Sequence, residues 1–100
     1  MKWRIDLRPQ ALAELDDAAA WYEEKRAGLG RDFVREISAA ISALGLAPLT
    51  PRLRHRTAGI RWVFPRRFPY RIIYRVEAGS IVVLAILHSA RGDTAWRERS

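Results

Sequence analysis

Two side chains suited to chemistry, His88 and Arg91, directly follow the most apolar stretch of the chain. That stretch, residues 81–87, reads IVVLAIL, which predicts a strand covered on both faces. An imidazole, whose ordinary pKa is about 6.5, can act as a general acid or base. A guanidinium keeps its positive charge and can anchor phosphate or carboxylate groups. Polar groups at the end of a rigid, buried strand are well placed to act on a partner or to bind one.

Both residues also have a purely structural interpretation. His88 could hydrogen-bond a backbone carbonyl at the end of the strand. Because the sequence places no Tyr, Lys or Glu beside it, this interpretation is favoured for His88. Arg91 could form a salt bridge with Asp93, but its position after the buried strand favours a functional role.

Positive charge is concentrated in the C-terminal half of the chain. The net charge is +7, from 18 Lys and Arg against 11 Asp and Glu. Residues 51–100 contain eleven Arg, no Lys and three acids, or +8, whereas residues 1–50 contain seven Lys and Arg and eight acids, or −1. We therefore expect this half to bind a polyanion or an acidic protein segment. The candidate target-binding or nucleic-acid-binding residues are Arg61, Arg66, Arg67, Arg71, Arg75 and Arg91.

The same arginines could instead form a solvated basic face. Arg71 and Arg75 should share one face of a strand, where they could follow one phosphate path or pair with carboxylates of the first helix. Arg66 and Arg67 lie in a predicted turn, where a screened surface charge is the commoner outcome.

The composition narrows the kinds of site that the chain can form. There is no cysteine and there are two histidines, so a disulfide, a thiolate metal site and a structural zinc site are not expected. We expect neither a metal nor a cofactor. No apolar run approaches the roughly 20 residues of a transmembrane helix. The N-terminus carries charges where a signal peptide would be apolar, so we expect a soluble, cytoplasmic protein.

The spacing of apolar residues predicts four strands and two helices. Alternating or continuous apolar character places the strands at residues 2–7, 60–64, 70–76 and 81–87. Helical spacing marks residues 10–27 and 31–46, which a tight glycine link joins. The last residues, 93–100, are either a short helix capped by Asp93 or a loose tail.

The element order β-αα-β-β-β indicates an α+β fold. Gly79 lies in a short turn between the last two strands, which predicts an antiparallel hairpin. Two amphipathic helices without a further layer would leave apolar surface in water. The helical hairpin must therefore pack on one face of a mainly antiparallel sheet, and we expect a single domain over residues 1–100.

These residues, in this order, resemble the RelE/ParE family of bacterial toxins from type II toxin–antitoxin modules. The resemblance covers nearly the whole chain and includes WYEEKRAGLG, Phe33, Pro48 and GIRWVFPRRFPYRIIYRV. After the apolar strand, HSARGD is similar to the H-x-x-R-D ending of ParE-like members, with Gly92 as one extra residue.

The resemblance implies one of two activities. RelE-like members are ribosome-dependent mRNA endonucleases, whereas ParE-like members inhibit DNA gyrase and are not known to be catalysts. RelE-like members use Lys and Arg on the middle strands, an Arg after the last strand and a C-terminal Tyr. Arg91 matches that Arg, but the middle strand reads RWVF without lysine and Trp96 stands near the Tyr position. These departures favour the ParE-like branch.

The resemblance thus predicts a non-enzymatic gyrase inhibitor that is neutralised by a cognate antitoxin. The expected antitoxin is a small protein with a ribbon-helix-helix or similar DNA-binding domain and a disordered C-terminal segment that folds over the toxin. Its expected contacts are Trp62, Phe64, Arg71 and Arg75.

Two other interpretations remain open. One is a metal-independent endoribonuclease that acts on the ribosome and its mRNA through Arg61, His88 and Arg91. This interpretation remains open because some nuclease members have a His at the position of His88. The other is a family member that has lost toxicity and persists as a binding module.

Overall fold

The computed structural model of the protein describes residues 3–99, the side chain of Ala95 excepted. Four strands form one sheet in the order β1-β4-β3-β2: β1 (Arg4–Leu7), β2 (Arg61–Val63), β3 (Tyr70–Glu77) and β4 (Ser80–His88). β1 runs parallel to β4, and the other two pairs are antiparallel. The predicted mainly antiparallel sheet is confirmed. The predicted start of β1 at Lys2 lies outside the described residues.

Two helices, α1 (Pro9–Lys25) and α2 (Leu29–Leu44), form the predicted hairpin. Gly28 connects them with a φ of 88°, a conformation that glycine adopts without steric cost. The Glu23 carboxylate accepts hydrogen bonds from the N–H groups of Gly28 and Gly30, at 2.9 and 3.0 Å. These bonds stabilise the ionised form and lower the pKa of Glu23. They also supply acceptors to amide groups at the start of α2 that lack partners within the helix.

The helical hairpin packs on one face of the sheet, where it buries the main hydrophobic core. The largest buried residues of this core are Phe33, Ile37, Ile72, Tyr74, Ile81 and Ile86. The Tyr74 hydroxyl donates a hydrogen bond to the Pro48 carbonyl at 2.7 Å, so that a polar group in the core is satisfied. Burial raises the pKa of Tyr74 to about 12.

A β-bulge in β4 changes which side chains face the helices. The register shifts opposite residues 73 and 74 of β3, and Leu84 and Ala85 both face away from the helical hairpin. Ile86 then points into the main core, like Ile81 before the bulge. Strict alternation from Ile81 would place His88 on the far face of the sheet. Because of the bulge, His88 lies on the helix side.

The far face of the sheet is covered by a third helix, α3 (Thr94–Arg99), and by the loop before β2. Trp96 of α3 is only 2% exposed and belongs to a second core with Ile60, Ile73, Leu84 and Leu87. β4 is therefore covered on both faces, as its continuous apolar sequence predicted. Of the two interpretations of the chain after Asp93, the structure shows the helix.

An ion pair closes the edge of β4 beyond the end of β1. β1 pairs with β4 as far as residue 83, so the next peptide groups of β4 have no neighbouring strand on that side, although β3 still pairs with them on the other. Glu14 accepts the Ile86 N–H at 3.0 Å, and Arg99 donates to the Leu84 carbonyl at 3.0 Å. The two side chains also bond to each other at 3.0 and 3.1 Å. The pair thus takes the place of a neighbouring strand and ties α3 to α1.

Candidate functional site

Helix α1 and the end of β4 border an open groove of about 260 Å³, here called the α1–β4 groove. Its polar and charged lining consists of Glu14, Asp17, Tyr70, His88 and Arg91. The structure therefore brings together two of the three residues predicted for a nuclease, His88 and Arg91. It adds Tyr70, which the sequence did not place beside His88.

Tyr70 and His88 are direct partners in the β3–β4 ladder, and their ring centroids lie 5.4 Å apart. His88 accepts a hydrogen bond from the Ala90 N–H at Nδ1, at 3.0 Å. A neutral imidazole that accepts at Nδ1 carries its proton on Nε2, so Nε2 is the nitrogen available for a donated hydrogen bond. Burial raises the pKa of Tyr70 above its ordinary value.

Arg61, the third residue of the predicted nuclease set, lies elsewhere. It pairs with Tyr74 in the β2–β3 ladder, four residues along β3 from Tyr70. Four residues of a strand span about 13 Å. The side chain is also occupied, because its Nε donates to the Pro51 carbonyl at 2.8 Å.

Arg91 combines a fixed backbone with an exposed side chain. Its N–H donates to the His88 carbonyl at 2.9 Å, and its carbonyl accepts a bond from Arg71 at 2.6 Å. The alternative in which Arg91 pairs with Asp93 is wrong, because Asp93 lies against Arg71. A charged group held this way can meet an anion without first ordering its own backbone.

Arg71 is buried, with 6% of its surface exposed. Its Nη1 donates to the Asp93 carboxylate at 2.9 Å, and this hydrogen bond lowers the pKa of Asp93. The guanidinium also lies 4.7 Å from the centre of the Trp62 ring. The predicted pairing of Arg71 with the first helix is therefore wrong. Its predicted contacts with a target or an antitoxin stay predictions, but in this structure its charge is engaged within the molecule.

Two more of the predicted arginines have partners of their own. Arg75 forms an ion pair with Glu77 on the same strand, and not with the first helix. Arg66 forms one with Glu36 of α2, at 3.4 Å, and its side chain is 83% exposed. A pair this exposed contributes little to stability and leaves Arg66 available to another anion.

The exposed Arg67 has a different kind of neighbour. Its guanidinium lies 5.1 Å from the centre of the Phe68 ring. The arginines predicted to bind a target are thus spread over different parts of the molecule and do not form one patch. Of these residues, Arg71 and Arg91 meet at the loop after β4.

The aromatic residues predicted to contact an antitoxin point to different faces. Trp62 packs with the far-face core and lies within 5 Å of two guanidinium groups, those of Arg54 at 4.8 Å and Arg71 at 4.7 Å. Phe64 is 54% exposed and lines a depression together with residues of α2. The structure therefore does not unite Trp62 and Phe64 in one surface.

A second depression, here called the α2–β2 groove, has a mostly apolar lining. It measures about 290 Å³ and is lined by Ala40, Ala43, Leu44, Ala47, Thr50, Pro51, Val63 and Phe64. Arg35, Glu36 and Arg66 border the adjoining surface, which Phe64 also lines. Beside the groove in the chain, Leu46 and Leu49 are 90% and 56% exposed. These two leucines, which flank Pro48 just after the second predicted helix, were the available sequence signal for this surface.

No group of three or more His, Cys, Asp or Glu side chains within residues 3–99 is arranged to hold a metal ion. None of the helices in the same range is long and apolar enough to span a membrane.

The family of the chain follows from its match to a family model. Residues 5–92 match the model described as the ParE toxin of the type II toxin–antitoxin system parDE. The chain therefore belongs to the ParE toxin family, and it is the toxin component of a type II toxin–antitoxin system. A search of curated proteins found no significant match.

Solved structures share the fold at low sequence identity. A chain of the chromosomal ParDE system from P. aeruginosa is 20% identical, with a TM-score of 0.76 over 87% of this chain and 96% of that chain. A mutant of E. coli toxin RelE in the free state is 16% identical, with a TM-score of 0.64 over 90% and 86%. A chain of the RelBE2 toxin–antitoxin complex from Mycobacterium tuberculosis is 23% identical, with a TM-score of 0.57 over 88% and 99%. These similarities confirm the predicted RelE/ParE-like α+β fold.

Proposed function

We propose that this toxin inhibits DNA gyrase in the cytoplasm without catalysing a reaction, and that a cognate antitoxin neutralises it. The observation that carries the proposal is the match to the ParE toxin model over residues 5–92. The structure supports the choice of an inhibitor over a nuclease through the placement of the residues that an RNase would need.

Cleavage of RNA without a metal needs a base, an acid and cations around one phosphate. Here Arg61 is about 13 Å along the sheet from the Tyr70–His88 pair. Trp96, near the position of the nuclease tyrosine, is buried in the far-face core and cannot exchange a proton. The exposed carboxylate of Asp17, on the opposite wall of the α1–β4 groove, places negative charge where an RNA phosphate would enter. Inhibition by binding needs none of these proton transfers.

We assign the contact with gyrase to the end of β4, with Arg91 as the anchor. Its charge is exposed, and its backbone is held from both sides. A guanidinium of this kind can bind a carboxylate of gyrase or a phosphate of gyrase-bound DNA through two parallel hydrogen bonds.

We assign the antitoxin to the α2–β2 groove. An amphipathic segment could bury Phe64, Leu46 and Leu49, which are exposed in this chain. Arg35 and Arg66 at the border suit acidic residues on that segment. The similar chains from the ParDE and RelBE2 systems support an antitoxin partner. We expect it to carry a ribbon-helix-helix or similar DNA-binding domain and a C-terminal segment that is disordered alone.

The test compares purified toxin in two assays. One measures gyrase supercoiling and trapped DNA breaks, and the other measures mRNA cleavage on translating ribosomes. We expect inhibited supercoiling with intact mRNA, and we expect Arg91→Ala to weaken the inhibition about tenfold or more, while it still binds the antitoxin. Arg4→Ala, which removes another exposed arginine outside both grooves, is the matched control. Unchanged supercoiling together with cut mRNA would overturn the proposal.

One observation favours mRNA cleavage as a second candidate function. Tyr70, His88 and Arg91 line the same groove, and they provide a hydroxyl, an imidazole and a cation. The ribosome arm of the experiment tests this candidate directly.

A further inference from the structure

The guanidinium of Arg71 binds three consecutive residues of the loop that follows β4. Nη1 donates to Asp93 Oδ1 at 2.9 Å, and Nη2 donates to the carbonyl of Arg91 at 2.6 Å. A longer contact of 3.5 Å reaches the carbonyl of Gly92. The guanidinium also lies over the Trp62 ring, with its carbon 4.7 Å from the ring centre. A buried residue of β3 thus holds a loop 20 to 22 residues further along the chain.

Stability alone is a poor explanation for a charge at this position. Removing a guanidinium from water is costly, and a buried ion pair is often no more stabilising than apolar side chains of the same volume. Within the described part of the chain, Arg71 Nε also has no hydrogen-bond partner. Ile73 lies two residues further along β3 on the same face and is buried in the far-face core. This face of the strand therefore accommodates apolar side chains. The hydrogen bonds of Arg71 are made instead with the loop, through the Asp93 carboxylate and the carbonyls of Arg91 and Gly92.

The backbone of Arg91 is held from two directions. His88 accepts its N–H at 2.9 Å, and Arg71 donates to its carbonyl at 2.6 Å. The preceding amide, that of Ala90, donates to His88 Nδ1 at 3.0 Å. These hydrogen bonds restrict the direction of the Cα–Cβ bond of Arg91, although the side chain itself is exposed.

We propose that Arg71 is a positioning residue: it holds the 91–93 loop through Asp93 and the Arg91 carbonyl, and thereby aims the Arg91 side chain at the target. This inference rests on the proposed function of Arg91. Pre-ordering lowers the entropy lost when Arg91 binds, so loss of Arg71 should weaken the action of the toxin without any contact between Arg71 and the target.

The first measurement is amide hydrogen exchange in Arg71→Met, which keeps an unbranched side chain of similar length. Because charge-assisted hydrogen bonds are lost, we expect the amides of Ala90 and Arg91 to exchange about tenfold faster or more, with no change in the middle of β4. Arg75→Met is the matched control for this measurement, since it removes a charge from the same strand without touching the loop. Unchanged exchange at Ala90 and Arg91 would overturn the proposal. An equal increase throughout the protein would also overturn it, because that result means a general loss of stability.

The second measurement is gyrase inhibition in a double-mutant cycle. If Arg71 acts through Arg91, then Arg71→Met should reduce inhibition about tenfold or more in the wild-type background and cause no further loss in Arg91→Ala. Additive losses would show that Arg71 acts independently and would overturn the inference. If Arg91→Ala inhibits gyrase as well as the wild type does, the proposed function fails, and the exchange measurement alone decides whether Arg71 positions the loop.

A milder variant serves if Arg71→Met does not fold. Asp93→Asn keeps an oxygen that can accept from Nη1 but removes the negative charge. It should accelerate exchange at Ala90 and Arg91 less than Arg71→Met does. It should also reduce gyrase inhibition less than Arg71→Met does. Exchange at the wild-type rate in Asp93→Asn together with full inhibition would count against the proposal.

Discussion

Tyr70 and His88 lie directly opposite each other in the β3–β4 ladder, with ring centroids 5.4 Å apart and ring planes at 71°. The pairing depends on the bulge at Leu84 and Ala85. A regular hairpin with the turn at residues 78 and 79 would pair Tyr70 with Leu87 and turn His88 to the far face. One extra residue in β4 therefore places His88 on the helix side of the sheet, where it lines the α1–β4 groove.

The variant His88→Gln distinguishes a toxin that inhibits gyrase by binding from a toxin that cleaves mRNA. If the toxin acts by binding gyrase, no proton transfer is needed and we expect inhibition to stay within about threefold of the wild type. If the toxin cleaves mRNA, the loss of an acid or base should lower the cleavage rate roughly 10² to 10⁴-fold. The measurements are gyrase supercoiling and ribosome-dependent mRNA cleavage. His55→Gln, in the loop before β2, is the control for loss of a histidine outside the groove.

The elements that could be predicted from sequence are those in which one local signal suffices. Gly79 and the alternation of residues 70–76 indicated the β3–β4 hairpin, and the helical spacing of apolar residues within 31–46 indicated α2. The bulge could not be predicted, because all residues from 81 to 87 are apolar and no change of periodicity marks the switch of faces. The Tyr70–His88 pair was missed for that reason.

The arrangement of the arginines depends on contacts between distant parts of the chain. Arg71 and Asp93 are 22 residues apart, and Asp93 lies much closer in sequence to Arg91, the partner that sequence reasoning considered. The α2–β2 groove likewise forms from α2, the segment after it and β2. Local spacing of residue types carries no information about such contacts. The family resemblance, by contrast, uses the order of motifs over nearly the whole chain, and the family was correctly predicted.

Stability in acid should depend on Asp93. Its pKa lies below the ordinary value of 3.8 because Arg71 donates a hydrogen bond to the ionised carboxylate. Between the folded and unfolded pKa values the unfolded chain binds more protons, so the contribution of Asp93 is present above about pH 4 and is lost as the pH falls through the folded pKa. Urea unfolding from pH 6 to pH 3 should therefore show a smaller loss of stability in Asp93→Asn than in the wild type.

The comparison between the wild type and Asp93→Asn separates the contribution of Asp93 to acid stability from that of the other carboxylates. Glu23, whose pKa is also lowered, is present in both and contributes equally to both curves. Parallel curves would mean that the Arg71–Asp93 hydrogen bond does not contribute to acid stability.

The α2–β2 groove should bind the antitoxin through its apolar lining. Phe64→Ala removes a half-exposed ring, and Ala43→Glu places a charge in the groove, so each should raise the antitoxin Kd about tenfold or more. Neither residue belongs to the buried core, so thermal unfolding of the free toxin should change little. Calorimetry on each variant measures the Kd. Ala20→Glu, the same substitution at an exposed position of α1, is the control. An unchanged Kd for both groove variants would place the antitoxin elsewhere.

The Glu14–Arg99 pair should stabilise the sheet edge more than an ordinary surface ion pair does. Glu14 is bonded both to Arg99 and to the Ile86 N–H, and Arg99 is bonded to the Leu84 carbonyl. Their side chains are only 17% and 21% exposed, so water cannot fully replace the lost partners. Glu14→Ala should therefore lower the free energy of unfolding by about 1–3 kcal/mol, and the Ile86 amide should exchange faster. Asp16→Ala, an exposed acid on the same helix, should change stability by no more than about 0.5 kcal/mol. Urea unfolding measures both variants, and equal effects would mean that the edge of β4 does not need the ion pair.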